Sequence, residues 1–110
     1  MKELTVLEQI IMAAIVSLGD EAYGVAIRGK VKSLTGRSLM YGTLYNALDQ
    51  LLKKGFIQKS DPDTAAPGRG LHGRVYYTAS AAGRTALRTA YRLQKSIWAG
   101  IRDFIEDGES

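Results

Sequence analysis

The apolar residues of this chain change their period partway along it, and the resulting order of elements limits the fold more than any other feature. From Leu4 to Leu18 they fall at Leu7, Ile10, Ile11, Ala14, Ile15 and Leu18. That spacing of three and four predicts a helix with a wide apolar face, the central core helix of the fold. Gly19-Asp20-Glu21 interrupts it and places acids at the start of a second helix, from about Glu21 to Leu34, with Ala22, Val25, Ala26, Ile27, Val31 and Leu34 inward. Thr35-Gly36 closes that helix, glycine tolerating the left-handed C-terminal cap. A third helix begins between Ser38 and Tyr41 and runs to Lys54, with Leu44, Leu48, Leu51 and Leu52 as its stripe and Gly55 as its stop.

After Gly55 the pattern becomes that of strands. Phe56 to Ser60 and Arg74 to Thr78 are rich in β-branched and aromatic residues, and the stretch between them, Asp61 to Gly73, is rich in Gly, Pro, Asp and Ala. The pair reads as an antiparallel hairpin with a long exposed loop. Ser80 is a good N-cap for a last helix from Ala81 to Ile105. Its apolar positions, Leu87, Ala90, Tyr91, Ile97, Trp98, Ile101, Phe104 and Ile105, approximate a heptad seam interrupted by Gln94. The polar end, 107–110, reads as a frayed tail.

Helix, helix, helix, hairpin, long helix is the order of a winged helix-turn-helix, an α+β fold that is mainly α. Residues 1–79 form the winged-helix DNA-binding domain on this reading, and residues 80–106 a C-terminal dimerisation helix. A protruding helix with Ile97, Trp98, Ile101, Phe104 and Ile105 exposed would be a large apolar patch on a monomer, and a two-fold partner would cover it.

Composition then narrows the function. The chain of 110 residues has no cysteine, so disulfides, thiolate catalysis and thiolate zinc sites are all excluded. The longest apolar stretch, Ile10 to Val16, is far short of the ~20 residues of a membrane span, and Met1-Lys2-Glu3 lacks the features of a signal peptide. The expectation is a soluble, cytoplasmic protein with no membrane partner. Net charge is +4, but between Tyr23 and Arg74 nine basic residues (Arg28, Lys30, Lys32, Arg37, Lys53, Lys54, Lys59, Arg69, Arg74) face only Asp49, Asp61 and Asp63, a local excess of +6. Concentrated positive charge suits a polyanion, although a solvated surface has the same composition.

A wheel at about 100° per residue places Gly42, Thr43, Asn46, Gln50 and Lys53 opposite the third helix's apolar stripe, with Asp49 on one flank. Gly42 leaves room for close approach to a backbone. Thr43 suits a phosphate, Asn46 and Gln50 suit bidentate readout of adenine, and Lys53 suits phosphate or guanine. Arg37 and Tyr41 at the helix entrance, and Arg69 and Arg74 in the hairpin, complete the DNA-facing set. Any surface helix is polar opposite its core stripe; the hairpin that follows gives this one its meaning.

The segment Tyr41-Gly42-Thr43-Leu44-Tyr45, with Leu48, Leu51 and Gly55-Phe56-Ile57, resembles the recognition-helix signature of the PadR family of transcriptional regulators. So do Arg74-Val75-Tyr76-Tyr77 followed by Ser80 and Gly83, and the Ala22-Tyr23-Gly24 opening of the second helix. The resemblance runs from Leu4 to Ile105 and is carried by the order and spacing of motifs that are loose individually. It implies a winged-helix domain, a last helix that dimerises with its mate, and repression through an inverted-repeat operator, often relieved by a small ligand. It also implies that Tyr45 contacts the DNA backbone. Two departures are Val75, where the family usually has a second basic residue, and Ser80, where it often has threonine. The single long helix after the hairpin resembles the short members that lack a separate effector domain.

Rival readings have less behind them. Gly68-Arg69-Gly70-Leu71-His72-Gly73 satisfies G-x-G-x-x-G, but a dinucleotide site needs those glycines after a strand and opening a helix, and here they lead into a strand. His72 is the only histidine and has no second ligand near it in sequence, so no metal or cofactor is implied. No catalytic constellation is visible. A winged-helix protein-interaction module without DNA binding would share the fold but not the basic residues around the third helix. On the last helix, Tyr91, Trp98 and Phe104 suit either packing between copies or a flat pocket for a small aromatic effector.

Overall fold

The computed structural model of the chain describes residues 3–60 and 74–107. Among them five α-helices and two strands follow one another: α1 (Val6–Leu18), α2 (Gly24–Thr35), α3 (Tyr41–Lys53), β1 (Ile57–Lys59), β2 (Tyr77–Ala79), α4 (Ala81–Gly100) and α5 (Arg102–Asp107).

Helix α1 starts at a capping box. The Thr5 hydroxyl accepts from the Glu8 N–H at 3.1 Å, and the Thr5 N–H donates to the Glu8 carboxylate at 2.8 Å, so each satisfies the other's orphan group. Glu8 is only 5 % exposed, and Lys54 reaches its two carboxylate oxygens at 2.7 and 2.9 Å. Lys54 also donates to the Glu3 carbonyl, so the start of α1 is fastened to the end of α3. Beyond this polar joint α1 is the core helix expected of it. Ile11, Met12, Ala14 and Ile15 are buried against Ile27 and Val31 of α2, Leu44, Ala47, Leu48 and Leu51 of α3, and Phe56, Ile57 and Tyr77 of the hairpin. Burial of each large aliphatic side chain is worth about 1.5–3 kcal/mol before chain entropy is counted.

Two details of α2 correct the reading by periodicity. Residues Gly19–Glu21 form a 3-10 turn, and the α-helix begins only at Gly24. Val25 and Leu34, expected inward, are 59 % and 53 % exposed. The inward stripe is Gly24, Ile27 and Val31; Val25 points away from it, and Leu34 sits in the last turn, past the packed part of the core. Gly36 does close the helix with a left-handed cap, its N–H donating to the Lys32 carbonyl at 2.7 Å.

The hairpin is antiparallel, with Ile57 opposite Ala79, Gln58 opposite Thr78 and Lys59 opposite Tyr77. Its second strand begins later than expected, because Arg74 and Val75 precede the ladder. Tyr76 instead exchanges hydrogen bonds with Ser60 and forms an isolated bridge to Tyr23, ahead of α2. The glycine-rich stretch 68–73, including Arg69 and His72, lies outside the described residues.

Ser80 caps α4, accepting from the Gly83 N–H at 3.0 Å while its own hydroxyl donates to the Gly55 carbonyl at 2.7 Å. Gly83 is buried so closely that a Cβ there would stand 1.9 Å from the Phe56 carbonyl oxygen. The last helix does not continue to Ile105. α4 stops at Gly100, the poorest helix former after proline, and the Ile101 N–H turns to the Trp98 carbonyl, a tighter i−3 bond. Phe104 and Ile105 therefore lie on the separate helix α5, and the heptad seam breaks at Ile101.

Gly83→Ala should lower stability by about 3 kcal/mol, since the added methyl meets backbone that cannot swing away. Gly29→Ala, in the interior of α2 with open space at its Cβ position, should raise it by about 0.5–1 kcal/mol. Urea unfolding of the two variants beside the parent checks both signs.

Candidate nucleic-acid interface

Helix α3 divides cleanly into two faces. Leu44, Ala47, Leu48 and Leu51 are buried, while Tyr41, Gly42, Thr43, Tyr45, Asn46, Asp49, Gln50 and Lys53 are exposed. Asp49 and Lys53 pair at 3.2 Å, an exposed i,i+4 bridge of little energetic weight that leaves Lys53 available to a stronger anion. Nothing among the described residues accounts for Gly42: its φ is not positive, and no part of them beyond its own helix lies within 4 Å of the position its Cβ would occupy.

The entrance of α3 is braced by aromatic and arginine contacts. A Cβ at Gly24 would stand 2.0 Å from the Tyr45 hydroxyl oxygen, so α2 accepts this tyrosine only because residue 24 is glycine. The rings of Tyr41 and Tyr45 stack with centroids 6.3 Å apart. Arg28, from α2, lays its guanidinium 4.5 Å above the Tyr41 ring and donates its Nε–H to the Leu39 carbonyl.

A second cluster fixes the root of the wing. Tyr77 is buried and its N–H donates to the Ala22 carbonyl at 2.8 Å. Burial pushes its phenol above the usual tyrosine range, and Tyr45 nearby adds to the rise. Tyr76 meets Tyr23 edge to face with centroids 5.6 Å apart, and the Arg74 guanidinium lies 3.7 Å above Tyr23. Of the two adjacent tyrosines, Tyr77 is thus the one that packs inward.

These contacts change the meaning of the basic segment. Lys54 turns inward to Glu8, and Arg28 and Arg74 lie flat on tyrosines. Lys32, Arg37 and Lys59 remain exposed. Part of the positive charge is therefore structural. Of the residues expected to face DNA, those on α3 and Arg37 are exposed, Arg74 sits at the wing root, and Arg69 falls outside the described residues. Arg28 and Tyr23 were not expected in the site; no spacing rule signals a guanidinium lying on a ring thirteen or more residues away. Among the described residues no group of three or more His, Asp or Glu is placed to hold a metal ion.

At the far end of the molecule α4 and α5 present an apolar surface. Tyr91, Ile97, Trp98, Ile101, Phe104 and Ile105 are each between 42 % and 73 % exposed, whereas Leu87 packs partly against its own core. Gln94 is less an interruption than a link. It accepts from the Trp98 indole at 3.0 Å and stands 3.5 Å from Gln9 of α1. No helix among the described residues is long and apolar enough to cross a membrane.

Comparison with known proteins gives a consistent answer. The model of the transcriptional regulator PadR-like family matches residues 12–89. A PadR-like transcriptional regulator from Bacillus cereus superposes with a TM-score of 0.76 at 22 % identity, covering 94 % of each chain. A PadR family transcription regulator from Clostridium difficile gives 0.67 at 24 % identity, over 89 % of this chain and 97 % of the other. A Streptococcus mutans protein gives 0.69 at 26 % identity, over 97 % and 93 %. Comparison with curated proteins finds no match.

Because the folded state favours the neutral Tyr77 phenol, its contribution to stability is complete below the unfolded value near pH 10 and is lost as pH rises through the higher folded value. Absorbance titration of the phenolates should show a late-ionising tyrosine that disappears in Tyr77→Phe.

Proposed function

Because this chain belongs to the PadR-like family of transcriptional regulators, we propose that the exposed face of α3 reads base edges in the major groove and that two copies, joined through α4 and α5, repress transcription from an inverted-repeat operator. DNA binding as a regulator follows from the family; the residue roles, the dimer and the repression are our reading. The observation that carries it is the exposed polar face of α3 with a glycine, Gly42, whose Cβ position is open. Asn46 and Gln50 are one helical turn apart on that face and suit bidentate contacts to adenine. Thr43, Tyr41, Tyr45 and Arg37 suit the phosphate backbone at the helix entrance, Lys53 a phosphate or guanine, and Gly42 lets a sugar-phosphate strand come close. Arg74, at the root of the wing, suits the flanking backbone, and Arg69 is the other wing residue proposed to contact it.

Dimerisation is supported by the exposed apolar residues of α4 and α5, which a two-fold partner would remove from water. Two recognition helices would then fall about one turn of DNA apart, roughly 34 Å, or a multiple of it. The aromatic patch of Tyr91, Trp98 and Phe104 suits a small aromatic effector that loosens the complex. A winged-helix interaction module that does not bind DNA is the competing reading, and the inward commitment of Arg28, Lys54 and Arg74 is what favours it.

Asn46→Ala or Gln50→Ala should weaken operator binding by about 1–3 kcal/mol and scarcely alter binding to scrambled DNA; equal losses on both would remove these residues from base readout. Gly42→Ala should stabilise the fold by up to about 1 kcal/mol while weakening DNA binding, a trade-off visible by pairing thermal melts with anisotropy. Trp98→Ala should shift a sedimenting dimer toward monomer, and an unchanged association constant would place the indole outside the interface.

A further inference from the structure

The helix that the proposed function sends into the groove has an unusual entrance. Met40 occupies the N-cap position of α3 and makes no side-chain cap hydrogen bond, so the first turn lacks the local closure that Ser, Thr, Asp or Asn would provide. The other end of α3 is well held, by Leu48 and Leu51 in the core and by Lys54 on Glu8. Between Gly36 and Tyr41 the chain crosses from α2 to α3 with Arg37, Ser38 and Met40 exposed and Leu39 half-buried. One side chain from α2 grips this crossing at two points. Arg28 donates its Nε–H to the Leu39 carbonyl, immediately before the helix, and lays its guanidinium plane over Tyr41, the first helical residue. Tyr41 in turn stacks on Tyr45, whose hydroxyl rests on Gly24, back on α2. The circuit from α2 through Arg28, Tyr41 and Tyr45 to α2 again is closed.

We propose that Arg28 is a positioning residue that fixes the entrance of α3, which has no side-chain cap of its own, so that Thr43, Asn46 and Gln50 meet the bases in register. This inference rests on the DNA-reading role proposed above. A directional Nε–H and a flat cation are both required, and lysine, a single point charge on a flexible stem, supplies neither. A residue that merely attracted phosphate would need only its charge. The two roles therefore separate in Arg28→Lys, which keeps the charge, and Arg28→Met, which keeps much of the stem.

The test has two parts. Without DNA, amide exchange at the first hydrogen-bonded positions of α3, beginning with Leu44, whose N–H donates to the Met40 carbonyl at 3.0 Å, should quicken about tenfold in both variants. Leu48 and Leu51 should exchange as in the parent, which shows that the fold is intact. With DNA, both variants should lose about tenfold on the operator, less than about threefold on a scrambled duplex, and nothing from the salt slope. Unchanged exchange at Leu44 in Arg28→Met overturns the proposal. So does a parent-like Arg28→Lys beside an Arg28→Met that loses equally on both duplexes with a shallower slope, the behaviour of a phosphate contact. If the parent itself does not discriminate between duplexes, the DNA-reading role fails, and the exchange data alone decide whether Arg28 holds the helix.

Discussion

The Tyr45 hydroxyl lies where the side chain of any residue other than glycine at position 24 would begin, and the two helices of the helix-turn-helix depend on that approach. Tyr45 could not lie across the start of α2 over an alanine without being pushed outward, taking Tyr41 and the entrance of α3 with it. The same tyrosine is near enough to Tyr77, a buried residue of the hairpin, to raise its phenol electrostatically. A second approach of this kind, Gly83 under the Phe56 carbonyl, sets the start of α4 against the first strand. Between them these two glycines tie the recognition helix, the wing and the last helix to one frame. The Phe56 carbonyl is backbone in a tightly packed interior and cannot retreat, whereas the exposed Tyr45 ring would yield only by swinging outward from α2.

Charge is used inside this frame as well as on it. Glu8 satisfies a helix start and Lys54 neutralises it, a part-buried pair that would be costly to break on one side only. Arg28 and Arg74 spend their flat guanidinium faces on Tyr41 and Tyr23, at the entrance of α3 and the start of α2. A count of basic residues therefore overstates the charge offered to a polyanion. What α3 offers is modest in charge and rich in amide and hydroxyl groups, a face suited to discrimination more than to general attraction.

The parts of the fold that are legible in the sequence are those written locally. The stripes of α1 and α3, the Gly36 cap, the Ser80 cap and the alternation of the hairpin all depend on residues a few positions apart. Thr5-x-x-Glu8 is local too, and its closure by Lys54 is not, because 46 residues separate the partners. The break at Gly100 is missed when a heptad count runs through it, since one glycine weighs little against eight apolar positions in periodicity but decides whether the next backbone bond is i−4 or i−3. Val25 is misassigned for a related reason: an apolar residue beside the stripe of a short helix counts as core by composition and points to solvent by geometry. On the candidate site, the exposed side of α3 follows from its wheel. The clamp by Arg28 does not, because a guanidinium over a ring is a tertiary contact with no spacing of its own.

The central claim is that this face discriminates between DNA sequences. Fluorescence anisotropy of the purified protein on the duplex upstream of its own gene, beside a scrambled duplex of equal length and across a salt series, tests it most directly. The account predicts markedly tighter binding to the upstream duplex, with an affinity that falls steeply as salt rises. Failure to bind either duplex at low salt would contradict it and leave a winged helix that meets some partner other than DNA.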